Sequence, residues 1–415
     1  MTNFEPQMIS WIFLAVSIVG ACFTVSAVVR GRRLFVFVLP YFFASWLTSE
    51  LALHHIVWQA LATLAFVWLG ALEHWPGIAG LGITVVSWFG LLFSQRRSGA
   101  AASVFAAALR QGFADEDHSQ ARISVRQFAR PFHMRRHEVE RIRDLPYGDA
   151  GKRHLLDAYR PRSGGEGCPT LLQIHGGGWV IGQKDQQGLP LMHHLASRGW
   201  VCAALNYRLS PKATFPDHLV DVKRAIAWIR EHAAEYGADP DFIVVTGGSA
   251  GGHLAALTAL TANDKELQPG FESVDTTVAA CVPFYGIYDF LERHGARGRA
   301  SMRPFLEKMV MKCAPDQNRA LWEKASPISL VHPDAPPFFV VHGTHDSLAF
   351  VEDAQHFVAR LREVSRNPVA YAELPGAQHA FETFHSLRGA HAVNAVSRFL
   401  ERVHARYRAE KLSAA

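Results

Sequence analysis

Residues 243–257 read IVVTGGSAGGHLAAL, an apolar run that breaks into Gly-Gly-Ser-Ala-Gly-Gly and resumes with helix-forming residues. Within it Gly247–Gly251 matches GxSxG, between the strand-like FIVVT and the helix-like HLAALTAL. That context predicts a tight strand-to-helix turn with Ser249 in an unfavourable backbone conformation and glycines where no Cβ fits. Alone, the pattern leaves two readings open, because glycine-rich turns of this kind also serve packing or phosphate binding. Three distant stretches decide between them.

The first is His175-Gly176-Gly177-Gly178-Trp179, directly after the strand-like TLLQI. Consecutive glycines let backbone N–H groups point into open space at an anion, so Gly177, Gly178 and Ala250 are the candidate oxyanion hole. The second is Val341-His342-Gly343-Thr344-His345-Asp346, an apolar run ending in a loop with a carboxylate. The third is Leu374-Pro375-Gly376-Ala377-Gln378-His379-Ala380-Phe381, again a loop after a strand. In the order Ser249, Asp346, His379, the carboxylate is expected to orient the imidazole, and the imidazole to take the serine proton. The chain has 22 histidines, and His379 is chosen for its place after the last strand. His253 is expected to pack on the helix after Ser249.

Around these motifs apolar runs at Arg153–Tyr159, Thr170–Ile174, Trp200–Tyr207, Phe242–Thr246, Thr277–Phe284, Pro337–His342 and Val369–Leu374 alternate with helical stretches. In Asp217–Glu235, Leu219, Val222, Ile226, Ile229 and Ala233 recur at steps of three and four, one apolar stripe against a sheet. Strands without strict alternation, separated by helices, predict a mostly parallel sheet covered on both faces, with its chemistry at the carboxyl ends of the strands.

HGGGW, GGSAGG, HGTHD and GAQHAF, in that order, resemble the hormone-sensitive-lipase-like (GDXG) branch of the α/β-hydrolase family over about Glu138 to Arg406, and Asn206–Pro211 with Phe215-Pro216 is similar to a further signature of it. The resemblance implies an α/β-hydrolase fold with a helical cap and a serine carboxylesterase or lipase. Ser249, Asp346 and His379 would be its triad, Gly177, Gly178 and Ala250 its oxyanion hole, with no metal or cofactor. Two positions depart: Gly248 stands where the family usually has Asp, and Lys212 where an acidic residue is usual. Two alternatives stand beside this reading, a deacylase or methyl esterase acting on lipidated protein and a non-catalytic, esterase-like membrane binding module.

The 415 residues divide by composition into 1–95, 96–137 and 138–415. Met8–Val29 is an uncharged run long enough to cross a hydrocarbon core of about 30 Å, and Arg30, Arg32 and Arg33 follow it. Positive charge after the run rather than before it reads as a permanent anchor, not a cleaved signal peptide. Further apolar stretches, Leu34–Leu53, Ile56–Leu72 and Gly77–Phe93, bring the expectation to three or four membrane helices, the transmembrane domain being 1–95. Placing Arg30–Arg33 and Arg96–Arg97 both inside favours three crossings, hence a multi-pass protein of the bacterial inner membrane with a cytoplasmic catalytic domain. Glu50, His54 and His55 could form a polar site in the membrane; the reading taken is an interfacial turn between two short helices.

The net charge of +5 comes largely from arginines between Arg96 and Arg143, among them Arg122, Arg126, Arg130, Arg135, Arg136, Arg141 and Arg143. Without aromatic interleaving or a recognition helix they are read as facing lipid headgroups or water in a basic linker or cap helix, not nucleic acid. The five cysteines are widely spaced with no CxxC, so a reduced, structural role is expected, Cys202 and Cys281 packing in strands. Tyr285–Leu330 reads as a cap insertion in which Phe305, Met309, Val310 and Met311 are either an acyl channel or ordinary core. The expected partners are a small-molecule or lipid ester and membrane lipids.

Overall fold

The computed structural model describes residues 6–31, 38–113, 123–295, 298 and 301–414. Arg32, Arg33 and Arg122 lie outside the described residues.

The apolar N-terminal runs form α1 (Pro6–Val28), α2 (Val38–Glu50), α3 (Ala52–Trp68) and α4 (Trp75–Gly99), followed by α5 (Ala101–Phe113) and the short α6 (Val125–Ala129). Among the described residues two helices are long and apolar enough to cross a membrane: α1, and the continuous stretch Trp75–Phe113. The pair α2 and α3 also qualifies if counted as one span, although it is bent by 92°. α1 packs along α4 through small and hydroxyl residues, with Thr24 and Ser87 hydrogen-bonded side chain to side chain at 2.5 Å and Thr84 donating to Ser17 at 3.0 Å.

The remainder alternates strand and helix: β1 (Val139–Pro146), β2 (Leu155–Pro161), β3 (Cys168–Ile174), α7 (Leu189–Ala196), β4 (Val201–Leu205), α8 (Asp217–Tyr236), β5 (Ala238–Gly248), α9 (Ala250–Leu260), β6 (Ala280–Phe284), α10 (Arg303–Phe305) running into a π turn at Leu306–Met311, α11 (Arg319–Lys324), β7 (Phe338–Gly343), α12 (Val351–Val364), β8 (Val369–Leu374) and α13 (Leu387–Ala414). They build one eight-stranded sheet in the order β1-β2-β4-β3-β5-β6-β7-β8. β2 runs antiparallel to both β1 and β4, and every other neighbouring pair is parallel. The central strands β3, β4, β6 and β7 are buried throughout, which is why they read as continuous apolar runs. One core cluster lies under α8, α9 and α12, the other under α5, α7 and α13, so both faces are covered.

Two features differ from the sequence reading. β1 went unrecognised in the sequence. α5 does not cap the carboxyl edge: it packs on β8 and α13, with Phe105 edge-on to Phe339 at 6.1 Å between ring centroids. Within the Tyr285–Leu330 insertion the core reading holds for the buried Val310 and Met311, and Phe305 and Met309 pack against the same core, the Phe305 ring lying 3.7 Å from where a Cβ on Gly178 would stand.

The polar break at Glu50, His54 and His55 sits at the bend between α2 and α3, and its Glu50 reaches the α/β part of the chain while the His55 ring lies 6.3 Å from Phe23 of α1. Buried Glu50 pairs with buried Arg388 and accepts a hydrogen bond from Ser386 at 2.8 Å, while His54 Nε2 bonds the carbonyl of Phe128 at 2.8 Å. Burying a carboxylate against a guanidinium is tolerable only when both are paired, and the joint supplies that pairing. Arg30 with Glu352 at 3.1 Å, and Arg97 donating to His345 Nε2 at 3.1 Å, tie α1 and α4 to the same end of the sheet.

Candidate active site

β5 delivers the backbone to Ser249, which stands at φ 59°, ψ −122° before α9 begins at Ala250. A serine there stores roughly 1–3 kcal/mol of strain that surrounding packing must hold. The holding is visible: Ser249 N donates to Phe284 O at 3.0 Å, and a Cβ on Gly251 would stand 2.1 Å from the carbonyl oxygen of Ile174 at the end of β3. The turn therefore presses on its neighbours and lifts the partly exposed Ser249 above the carboxyl edge of the sheet.

The His175–Gly178 loop leaves β3 beside this turn. Gly177 and Gly178 have φ of 116° and 59°, the left-handed range that glycine tolerates. Their amides donate to no acceptor among the described residues, and the amide of Ala250 is one of the orphan donors at the start of α9. His175 shapes the loop: its ring stacks on Tyr207 at 4.3 Å, and its Nδ1 bonds Gly176 O at 2.7 Å. Burial lowers the His175 pKa to about 4, so the ring is neutral and Nδ1 donates.

Asp346 and His379 meet in the structure. Asp346 Oδ2 accepts from His379 Nδ1 at 2.7 Å, and Oδ1 accepts the amides of Leu348 and Ala349, both at 2.8 Å. His342 Nε2 reaches Asp346 Oδ2 at 3.3 Å while bonding Ala349 O at 2.8 Å. Burial alone would raise the carboxyl pKa, but the His379 charge and the hydrogen bonds from His342 and His379 outweigh it and hold the group well below the usual carboxylate range. Gln378 fixes the loop by accepting from Ser347 N at 2.8 Å and from His379 N at 2.9 Å.

Ser249 Oγ makes no hydrogen bond to His379 among the described residues; such contacts are often long without substrate and tighten on binding. Tyr285 packs against His379 and against Gly248, the residue before Ser249. Its ring lies 4.4 Å from the His379 ring, and a Cβ added to Gly248 would stand 2.7 Å from its hydroxyl. That hydroxyl donates to the buried carboxylate of Glu382 at 2.5 Å. Burial raises the Glu382 pKa against the opposing Tyr285 hydrogen bond. Tyr285 and Glu382 escaped the sequence reading, since nothing local marks a pair that close across the fold.

The Gly248 departure thus has a steric basis: a side chain there would collide with a tyrosine that cannot swing away without abandoning Glu382. Gly248→Ala is expected to cost about 1–3 kcal/mol of stability through overpacking and to lower kcat/KM roughly tenfold by displacing Tyr285 from His379. Gly248→Asp should do more. Thermal unfolding and ester turnover of the purified variants check this.

Other singled-out residues are structural. His253 is buried, its Nε2 bonded to Ala325 O at 2.8 Å and its Nδ1 accepting from Trp179 at 3.3 Å. Arg208 grips buried Asp221 at 2.7 Å, tying its loop to α8. The five cysteines are free thiols, with Cys202 and Cys281 buried in the sheet. Among the described residues no cluster of three or more His, Cys, Asp or Glu is placed to hold a metal ion.

This sheet order, with a strained serine after the fifth strand and a bonded Asp–His pair after the seventh and eighth, is the α/β-hydrolase fold. The family model described as BD-FAE matches residues 156–361. The chain is 53% identical over 264 residues, 63% of this chain and 61% of the relative, to a probable carboxylic ester hydrolase, LipM, of Mycobacterium tuberculosis. It is 29% identical over 247 residues, 54% of this chain and 49% of the relative, to a probable isoprenylcysteine alpha-carbonyl methylesterase, ICMEL1, of Arabidopsis thaliana. The propionate-bound esterase Est2 of Thermogutta terrifontis superposes with a TM-score of 0.53 at 26% identity, covering 64% of this chain and 95% of that one. The hydrolase part of the chain is thus related to ester-hydrolysing enzymes, although the chain spans only about three-fifths of the length of LipM.

Proposed function

We propose that the chain is a membrane-anchored serine esterase that hydrolyses lipophilic carboxylic esters through an acyl-enzyme. The observation that carries this reading is the buried Asp346–His379 hydrogen bond at the edge of the sheet where the strained Ser249 turn stands. His379 Nε2 takes the Ser249 hydroxyl proton as Oγ bonds the ester carbon, and the carbonyl oxygen becomes an oxyanion facing the amides of Gly177, Gly178 and Ala250. Collapse breaks the bond to the alkoxy oxygen, which leaves with the proton from Nε2. Water then gives a proton to Nε2 and attacks the acyl carbon, releasing the acid and restoring Ser249. Asp346 stays ionised throughout and supports the imidazolium.

Lipophilic substrates are inferred from α1 and the Trp75–Phe113 helix, which would place the site beside a bilayer in which such esters concentrate. The anchor is proposed to cross the bacterial inner membrane several times, with the catalytic part in the cytoplasm. Similarity to the plant methylesterase favours one narrower reading, methyl esters of lipidated cysteine. Turnover of p-nitrophenyl esters from acetate to laurate by the full chain in nanodiscs tests the proposal: kcat/KM is expected to rise with chain length. Hydrolysis of farnesylcysteine methyl ester with no p-nitrophenyl ester turned over would favour the narrower reading, and no turnover of any ester would refute both.

A further inference from the structure

α2 touches the catalytic loop rather than only the other apolar helices. Leu39, Phe42, Phe43 and Trp46 fall at steps of three and four, one stripe along this helix. Phe42, 7% exposed, sets its ring edge-on to the His379 imidazole at 6.1 Å and 76°. Trp46 stacks on Phe42 at 5.5 Å and 8°, then meets Phe384 at 5.3 Å, which meets Phe132 at 5.0 Å. The outer members are open: Leu39 is 57%, Phe43 52% and Phe132 64% exposed. An unbroken apolar lane therefore runs from the catalytic imidazole to the surface, on a helix that is half of a bent candidate span.

The helix is pinned there. Trp46 Nε1–H donates to Ala380 O at 2.9 Å, and Glu50 holds Ser386 and Arg388, all three partners lying just after His379 in the chain. Buried pairing of this kind fixes α2 against the catalytic loop, and a large exposed apolar surface continuous with a catalytic base marks a binding site.

We propose that this lane is a binding subsite for the hydrocarbon chain of the leaving alcohol in a bilayer-resident ester. The side of the scissile bond follows from the proton's path. The alkoxy oxygen must come within hydrogen-bond reach of His379 Nε2 to receive the proton, so whatever it carries lies on the imidazole side, against Phe42. The acyl chain leaves the carbonyl carbon toward the Gly178 loop, where Phe305 stands. The subsite rests on the esterase reading and adds to it which half of the ester the N-terminal helices select.

The test measures kcat/KM for dodecyl acetate against ethyl acetate, and for p-nitrophenyl laurate against p-nitrophenyl acetate, using the full chain in nanodiscs. Wild type is compared with Phe42→Ala and Phe43→Ala, and ratios are compared so that a general loss of activity cancels. The dodecyl-to-ethyl ratio is expected to fall about tenfold or more in each variant, with the laurate-to-acetate ratio held. A dodecyl-to-ethyl ratio unchanged in both variants, or a fall confined to the laurate ratio, overturns the subsite while leaving the esterase standing. Absence of turnover of all four esters by wild type overturns the esterase reading, and the subsite with it.

Discussion

Replacing Ser249 with alanine is expected to lower kcat by on the order of 10⁶-fold and to abolish labelling of the protein by a fluorophosphonate. The size of the loss follows from the geometry. Ser249 is the hydroxyl that the turn between β5 and α9 lifts out of the sheet edge, beside glycine amides with no other acceptor. Without it, the remaining groups could at most orient water. The fold should survive, since the methyl of alanine fits the same turn and Ser249 Oγ makes no hydrogen bond among the described residues. Labelling that persists in the variant would mean that another nucleophile carries the chemistry.

Asp346→Asn is expected to cost about 10⁴-fold in kcat with little change in fold, and the hydrogen bonds say why. The Oδ1 position is committed to accepting two amides, Leu348 N and Ala349 N, each at 2.8 Å. An asparagine must keep its carbonyl oxygen there, which turns its NH2 toward His379 Nδ1, now 2.7 Å from the acceptor Oδ2. His379 Nδ1 would then have to accept, moving the ring proton to Nε2, the nitrogen proposed to receive the serine proton. Because the native carboxyl titrates well below its ordinary range, the wild-type charge is retained at every pH above about 4, and the acid limb of the wild-type pH–rate profile does not belong to Asp346. Rate profiles of both proteins, with mass spectrometry confirming that the asparagine has not deamidated, check this.

What could be read from the chain alone was what is local. The Ser249 turn announces itself because close backbone approach demands glycines beside it, and six of the seven strands read in the sequence stand out because buried parallel strands are continuous apolar runs, β2 being the antiparallel exception. The α8 stripe, Leu219, Val222, Ile226, Ile229 and Ala233, is fully consistent with its burial. β1 was missed because its sequence VERIRDLP is half charged and lies at the sheet edge, where only Val139 is fully buried. α5 carried a usable signal: Ala101, Phe105, Ala108 and Leu109, at steps of three and four and all buried, spell a sheet-packing face, but the neighbouring arginines drew the reading toward a cap. No local pattern could reveal pairs made across the fold. Tyr285 and Glu382 are 97 residues apart, and Glu50 and Arg388 are 338 apart. The polar break in the apolar segment reads as an interfacial turn between two short helices, and the bend is there, but its carboxylate is paired with Arg388 of the last helix.

The central claim is that an ester's acyl group passes through Ser249. Acid-quenching the full chain during turnover of p-nitrophenyl butyrate, followed by peptide mass spectrometry, tests it most directly. The account predicts a butyryl adduct on the peptide containing Ser249, absent from the Ser249→Ala protein. Steady hydrolysis with that peptide unmodified, or with the adduct on another side chain, would contradict it.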